Sequence, residues 1–387
     1  MQRFIKILTS LRLTVVCLSL GIILVFFGTL AQVNEGLYLA QERWFRSFFI
    51  WWSPKGASWG LPVFPGGYLV GTVLLVNLIA AHLKRFKLTW SKLGIHLTHL
   101  GIILLLLGQL ATDIFSEESH LRLNPGESRN YSESHMDNEL ALILPNPETG
   151  RDRVVSIPES MLVPGNEITH DQLPFTIRVK DHYINASLRN RAPMVDKGPP
   201  PATVGLGPRI TLEPMPEVRT TDERNMPAVI VELVGPGGPL GSWLLSTWLT
   251  DSQPVSVAGK TWELALRWKR FYTPFSIQLL KATHEVYLGT ETPKNFQSRV
   301  RIENPRSGEN REVDIYMNNP LRYEGLTYYQ YQMGEVEVDE RIRPSTLQVV
   351  RNPTWLTPYL ACLLVGAGLL VQFSFHLIQF ISKRRSA

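Results

Sequence analysis

The sequence predicts an integral membrane α protein that carries an all-β extracytoplasmic domain. Four transmembrane helices are expected, with a large antiparallel β-sandwich or open barrel between the third and the fourth. Three observations predict this. Four apolar runs are each long enough to cross a bilayer. Cations gather at alternate ends of those runs. The long polar stretch between the last two runs is made of short β-branched and aromatic segments bounded by turn residues.

The first run, Leu13 to Ala31, spans roughly 28 Å as a helix. Arg3, Lys6 and Arg12 precede it. Its exit, Gly28-Thr29-Leu30-Ala31-Gln32, faintly resembles a cleavage site, but the apolar core is longer than a signal sequence needs, so an uncleaved helix is expected. Residues 1–31 thus form the amino terminus and first span. Residues 32–66 form an outer loop dense in aromatics: Trp44, Phe45, Phe48, Phe49, Trp51, Trp52 and Trp59. Two readings of that loop compete. One is a short helix lying in the lipid interface. The other is a stacking surface for a flat ligand or a partner's helix.

Residues 67–112 hold the second run, Gly67 to Leu83, and the third, Leu93 to Thr112. The loop joining them carries Lys84, Arg85, Lys87 and Lys92. Residues 354–387 hold the fourth run, Trp355 to Ile381, followed by Lys383, Arg384 and Arg385. Pro358 falls in its first turn, where a proline is tolerated. With four spans, the cation-rich amino terminus, inner loop and carboxyl terminus share one side, and the positive-inside rule makes that side cytoplasmic. The protein is therefore expected in a bacterial cytoplasmic membrane with residues 113–353 outside.

Those residues are enough for a buried core. Strand-like segments include 153–157, 175–179, 228–233, 262–268, 275–279, 298–302, 312–316 and 326–332. No long amphipathic helix interrupts them, which argues for antiparallel β. Arg189 to Pro208, with Pro199-Pro200-Pro201, reads as a mobile loop.

The formal net charge is +5. Many of its cations cluster at the ends of the apolar runs, and no zinc-finger, basic-zipper or RNA-binding signature accompanies them, so nucleic acid is not expected as a partner. The two cysteines, Cys17 and Cys362, lie inside apolar runs. No Cys-x-x-Cys occurs, which excludes dithiol redox chemistry and zinc binding of the usual kind.

The chemistry concentrates in the third run. His96 and His99 are three residues apart and share a helical face. Ionisable side chains inside a span are costly and mark function by default. Imidazole is an axial ligand for haem iron, and inward histidines in a helix bundle can hold haem without a covalent attachment. His99, the deeper of the two, is the candidate iron ligand, with His96 beside it. Gly94, Gly101 and Gly108 recur at near-helical spacing and let a neighbouring helix or a flat ligand come close. His82 and His376 lie at the inner ends of the second and fourth runs, and their roles are left open. Asn77 and Gln109 read as interhelical hydrogen-bonding groups. In the outer domain, Asp181-His182-Tyr183 and His284-Glu285 read as structural.

With these residues in place, the chain resembles the ResB-like family, membrane subunits of the cytochrome c synthetase of the second type of maturation system. The resemblance runs in order along nearly the whole chain. It rests on Leu11-Arg12-Leu13 with the Gly28-Thr29 exit, on His99-Leu100-Gly101, on Asn318-Asn319-Pro320-Leu321-Arg322-Tyr323-Glu324-Gly325 followed by Tyr328-Tyr329-Gln330, and on Arg351-Asn352-Pro353. The resemblance implies haem b in transit or held non-covalently, ligated by His99. It implies a CcsA-like membrane partner, delivery of haem outside the membrane, and attachment to an apocytochrome c. The partner would bring the Trp-rich haem-handling segment, so synthetase activity is not assigned to this chain alone. An alternative reading keeps the histidines structural and makes the β-domain a scaffold for the partner or the apocytochrome.

Overall fold

The structure is a computed structural model that describes residues 2–54, 59–87, 89–146, 148, 150–192, 195–218, 224–288, 293–334 and 344–385. It divides into a helical unit, built from residues up to 117 and from 351 onward, and a β unit between them in sequence.

The helical unit opens with α1 (Gln2–Leu8) and α2 (Leu11–Ala40). They break at Thr9-Ser10, where two hydroxyl residues favour a local turn over a continued helix. Asn77 fixes that break. Its amide, fully buried, donates to Leu8 O at 2.5 Å and Ser10 O at 3.2 Å, and it accepts from Thr14 Oγ1 at 2.5 Å. Lys84 and Arg85 donate to Thr9 Oγ1 and Thr9 O at 3.1 and 3.2 Å. Cations thus satisfy the carbonyl end of α1.

α2 outruns its apolar stretch. It continues past Ala31 to Ala40, with Gly36 at φ 77° marking a kink, and runs into a π-turn over Gln41–Phe45. Then comes a hairpin, β1 (Phe49–Trp52) and β2 (Leu61–Pro65), paired Phe49↔Pro65 to Trp52↔Leu61 with a bulge after Ile50. Of the two readings of this loop, the short interfacial helix does not hold for residues 49–65. Phe49-Ile50-Trp51-Trp52 is a β-favouring run, and Ser53-Pro54 stops it. Phe48, Phe49, Trp51, Trp52 and Trp59 are all exposed. α3 (Gly67–Arg85), α4 (Leu93–Phe115) and α5 (Thr357–Arg385) complete the unit. Together with the first 27 residues of α2, they are four helices long and apolar enough to cross a membrane.

The β unit begins with β3 (Glu117–Leu123), β4 (Ser128–Leu144), β5 (Arg153–Pro158), β6 (Glu167–Ile168), β7 (Thr176–Tyr183) and β8 (Ala186–Asn190). It continues through β9 (Ile210–Pro214), β10 (Ala228–Gly235), β11 (Gly238–Ser246), β12 (Gln253–Val257) and β13 (Lys260–Val286). It ends with β14 (Pro293–Asn304), β15 (Glu309–Tyr316), β16 (Leu321–Tyr323), β17 (Leu326–Met333) and β18 (Ser345–Arg351). Neighbouring strands pair antiparallel, as β7 with β10, β4 with β13, β13 with β14 and β14 with β15 do. One lobe is a sandwich, in which β4, β5, β12 and the first half of β13 pack on the sheet β11-β10-β7-β6. Its core holds Leu140, Ile177, Val231, Trp262 and Leu264. β10 is buried on both faces: Val229, Val231 and Leu233 face the sandwich, whereas Ala228 and Ile230 face a smaller cluster under the hairpin β8–β9. That is why Ala228 to Val231 read as an apolar run with no alternation, broken only at Glu232.

The other lobe is a nearly closed barrel in the order β15-β14-β13-β4-β3-β18-β17-β16. A bridge between Tyr316 and Asn319 brings its ends together. Phe275, Ile277, Val300, Ile315, Tyr328 and Leu347 fill it. Both expected architectures are therefore present, side by side, and β4 and β13 run through both. Segments 262–268 and 275–279 are one strand, interrupted in its ladder with β4 between Tyr272 and Ile277. Pro274, which cannot donate to a ladder, lies in that gap.

The family-like stretch Asn318 to Gln330 builds the closing hairpin β16–β17. Glu324 and Gly325 both take positive φ, as a tight two-residue hairpin turn requires. Leu321 and Tyr328 enter the core. Gln330 accepts from Ser298 Oγ at 2.6 Å and donates to Ser345 Oγ at 3.1 Å. This segment is architecture.

The expected mobile loop after Arg189 is tied down. Arg189 makes a forked pair with Asp196 at 2.6 and 2.8 Å, Leu206 N donates to Gln253 Oε1 at 2.9 Å, and Ala202 is buried. Positions 193 and 194 of that loop lie outside the described residues.

Candidate functional site

α3 and α4 bring His82, His96 and His99 together. The rings of His82 and His96 lie 5.0 Å apart and those of His82 and His99 5.8 Å apart, with Phe86 4.8 Å from His96. His82 therefore joins the pair read from the sequence. His376 does not; Gln372 Nε2 lies 2.7 Å from its Nε2 on α5.

The backbone sets the tautomers. His99 Nδ1 lies 2.7 Å from Ile95 O, and because a carbonyl only accepts, Nδ1 carries the proton and Nε2 keeps a bare lone pair. A ring nitrogen donated to a backbone carbonyl is the usual support for an imidazole that binds metal through the other nitrogen. His96 Nε2 donates to Lys87 O at 3.0 Å, leaving Nδ1 bare; that atom is buried with no partner among the described residues. Two lone pairs thus stand at one end of the bundle, beside the cationic loop. These donors fit a haem iron. The rings pack on one another, so each imidazole already has aromatic neighbours on the faces that meet.

The glycine seam serves a different neighbour. A Cβ on Gly94 would fall 2.6 Å from Gly368 O, and one on Gly101 would fall 2.8 Å from Ala361 O. Gly94, Gly101 and Gly108 therefore seat α5, and the histidines occupy another side of α4.

At the opposite end of the same helices, Arg46 Nε pairs with Asp113 at 3.0 Å and its NH1 with Glu42 at 3.0 Å. Tyr68 OH donates to Asp113. The acceptor carboxylate of Glu42 raises the Arg46 guanidinium above its ordinary value, against the opposing effect of burial. Sequence reading missed this network, because Arg46, Tyr68 and Asp113 are far apart in the chain.

It also missed a second histidine pair, in the β unit. His120 on β3 and His135 on β4 lie 5.2 Å apart, and Tyr331 on β17 lies 4.8 Å from His120. Antiparallel pairing (Ser119↔Ser134) brings residues 15 apart into contact, a spacing that carries no local signal. Arg224 stacks on Trp268 at 4.3 Å and donates to His135 O and Ser134 O at 3.0 and 3.1 Å. Burial, then the nearby His135 and Arg224, push the His120 imidazole down to about 4. The unfolded chain binds that proton near pH 6.5, the folded chain only near 4. Stability from this group is thus full above pH 6.5 and is lost as pH falls through 4. The midpoint of thermal unfolding should drop between pH 7 and pH 4.5, and by less in His120→Leu. An equal drop in the two proteins would show that His120 does not titrate as its surroundings demand. Of the histidines read as structural, His284 stacks on Phe296 at 4.4 Å, and His182 lies 3.6 Å from Glu159.

No protein with a curated description matches the chain. Residues 247–346, from just after β11 into β18, match the model of the ResB-like family, and of the motifs that carried the resemblance the match takes in Asn318 to Gln330.

Proposed function

We propose that this protein is a membrane subunit of a cytochrome c maturation complex. It would handle haem in the membrane and support its delivery to an apocytochrome c outside. The family match supports the pathway, since the ResB-like family is linked to cytochrome c biogenesis. The observation that carries the haem reading is the His99 tautomer, with Nδ1 tied to Ile95 O and Nε2 left free inside a span. Apolar helices do not keep three imidazoles together without a use for them. On this reading the basic α3–α4 loop is cytoplasmic, the β unit is extracytoplasmic, and the membrane is the bacterial inner membrane. His99 would hold haem iron, and His96 and His82 would wall its approach. Bound haem supplies the iron and the vinyl groups that become attached to the client. A CcsA-like subunit would cover the open side of α3 and α4 and bring the second ligand. The chain alone is then a non-autonomous part of a haem lyase.

A second reading has its own support. The histidine rings are in mutual contact, and the family match lies wholly on the β unit. On that reading the chain is a scaffold whose β-domain holds the partner or the apocytochrome. The absorption spectrum of the complex purified with its partner separates the two. Haem content should fall at least about tenfold in His99→Ala, a loss of about 1.4 kcal/mol or more in binding. Full haem retention in the His96→Ala/His99→Ala double variant would overturn the haem role and leave the scaffold.

A further inference from the structure

The outer end of the helical unit holds a cavity of about 470 Å³, between the end of α2, the π-turn, α3 and α4. Its size is that of a small-molecule site. Leu75, Leu106, Leu110 and Phe45 form apolar walls. Gly71 opens it: a Cβ built there meets nothing within 4 Å.

The polar groups at this cavity are of two kinds. The charged ones are already paired, Arg46 with Asp113 and Glu42, and Asp113 also with Tyr68. An anionic head, a propionate or phosphate, would have to displace Asp113 from the guanidinium, and a cationic head would have to displace Arg46 from Asp113. The uncharged ones have no hydrogen-bond partner among the described residues. The amides of Gln32, Gln41 and Gln109 line the cavity, and no described residue hydrogen-bonds their side chains. Three unpaired amides beside leucine walls suit a ligand that accepts hydrogen bonds without charge and extends an apolar tail. A five-residue π-turn contributes two of the lining side chains named here, Gln41 and Phe45, and π-turns concentrate at functional sites.

We infer that this cavity binds an uncharged amphiphile, with carbonyl oxygens on its head and an isoprenoid or acyl tail laid along Leu75, Leu106 and Leu110. Membrane quinones and the ester region of a lipid share that chemistry. The site is separate from the histidines, and the inference does not rest on their role.

The test uses the full chain in detergent, with decylubiquinone as probe and retained lipid read by native mass spectrometry. The wild type should bind the quinone saturably with one site. Gly71→Leu, which fills the cavity with a better helix former, should bind at least tenfold more weakly while keeping its far-UV circular dichroism. Gln109→Leu, on an exposed position of α4, should also weaken binding and serves if Gly71→Leu does not fold. One phospholipid retained by the wild type and lost in Gly71→Leu, with no quinone binding, assigns the site to lipid ester. Neither ligand bound, or equal binding by both variants, overturns the inference. So does haem whose absorption disappears in Gly71→Leu and survives in His99→Ala, since the cavity would then be haem's.

Discussion

Glu139→Ala should destabilise the β unit by about 4 kcal/mol, the usual cost of stripping one partner from a buried ion pair. Glu139 lies on β4 with its side chain 6% exposed, and Arg267 faces it from β13 with 13% exposed. Arg267 Nε donates to Glu139 Oε1 at 2.9 Å, and Ser156 Oγ donates to Oε2 at 2.6 Å. Removing the carboxylate leaves a guanidinium in a place with little water and takes the acceptor from the Ser156 hydroxyl. The double variant Glu139→Leu/Arg267→Leu should recover most of the loss, because two apolar side chains of similar size remove both desolvation penalties. Unfolding of the purified protein in urea, followed by tryptophan emission, measures both. An equally large loss in the double variant would mean that packing around the pair, and not the unpaired charge, sets the cost.

Gly94→Leu should be nearly as damaging, at about 3 kcal/mol, the upper part of what overpacking costs. The new Cβ would meet Gly368 O at 2.6 Å and Gln372 N at 2.7 Å. These are backbone atoms, which cannot swing aside. α5 would have to back away along its length, giving up the close approach at Gly101 and the hydrogen bond between Thr112 and Thr354 hydroxyls at 2.7 Å. Gly71→Leu, made on a helix of the same unit into open space, is the control. Thermal midpoints in detergent should fall clearly for Gly94→Leu and little for Gly71→Leu. Equal falls would deny that the glycine seam packs α5.

The four long apolar helices were legible because hydropathy alone finds them, and the loop between α3 and α4 because cations mark it. Helix partners were not. Gly94 and its repeats announce a close neighbour without saying whether it is a helix or a porphyrin, and only the approach of Gly368 decides. His82 was seen and left open, since sharing a site with His99 depends on how α3 turns toward α4. The strands at 153–157 and 228–233 showed plainly in their composition. The continuity of β13 did not, because Lys269 to Pro274 looks like a break and is a register slip. The hairpin at Phe49 to Pro65 was in neither reading of the aromatic loop, because aromatic density is common to interfacial helices, stacking surfaces and hairpins; the clustered β-favouring order of Phe49 to Trp52 was the better signal. Pairs such as His120 and His135, or Arg46 and Asp113, leave no trace in one sequence, since only the fold makes them neighbours.

Because β4 and β13 each pass from the sandwich core into the barrel core, the two lobes are joined by a pair of strands and not by a loop. The ladder between those strands slips at Trp268 to Arg270 and again between Tyr272 and Ile277. Any give between the lobes would gather at those slips, as bending gathers at the thinned part of a leaf spring.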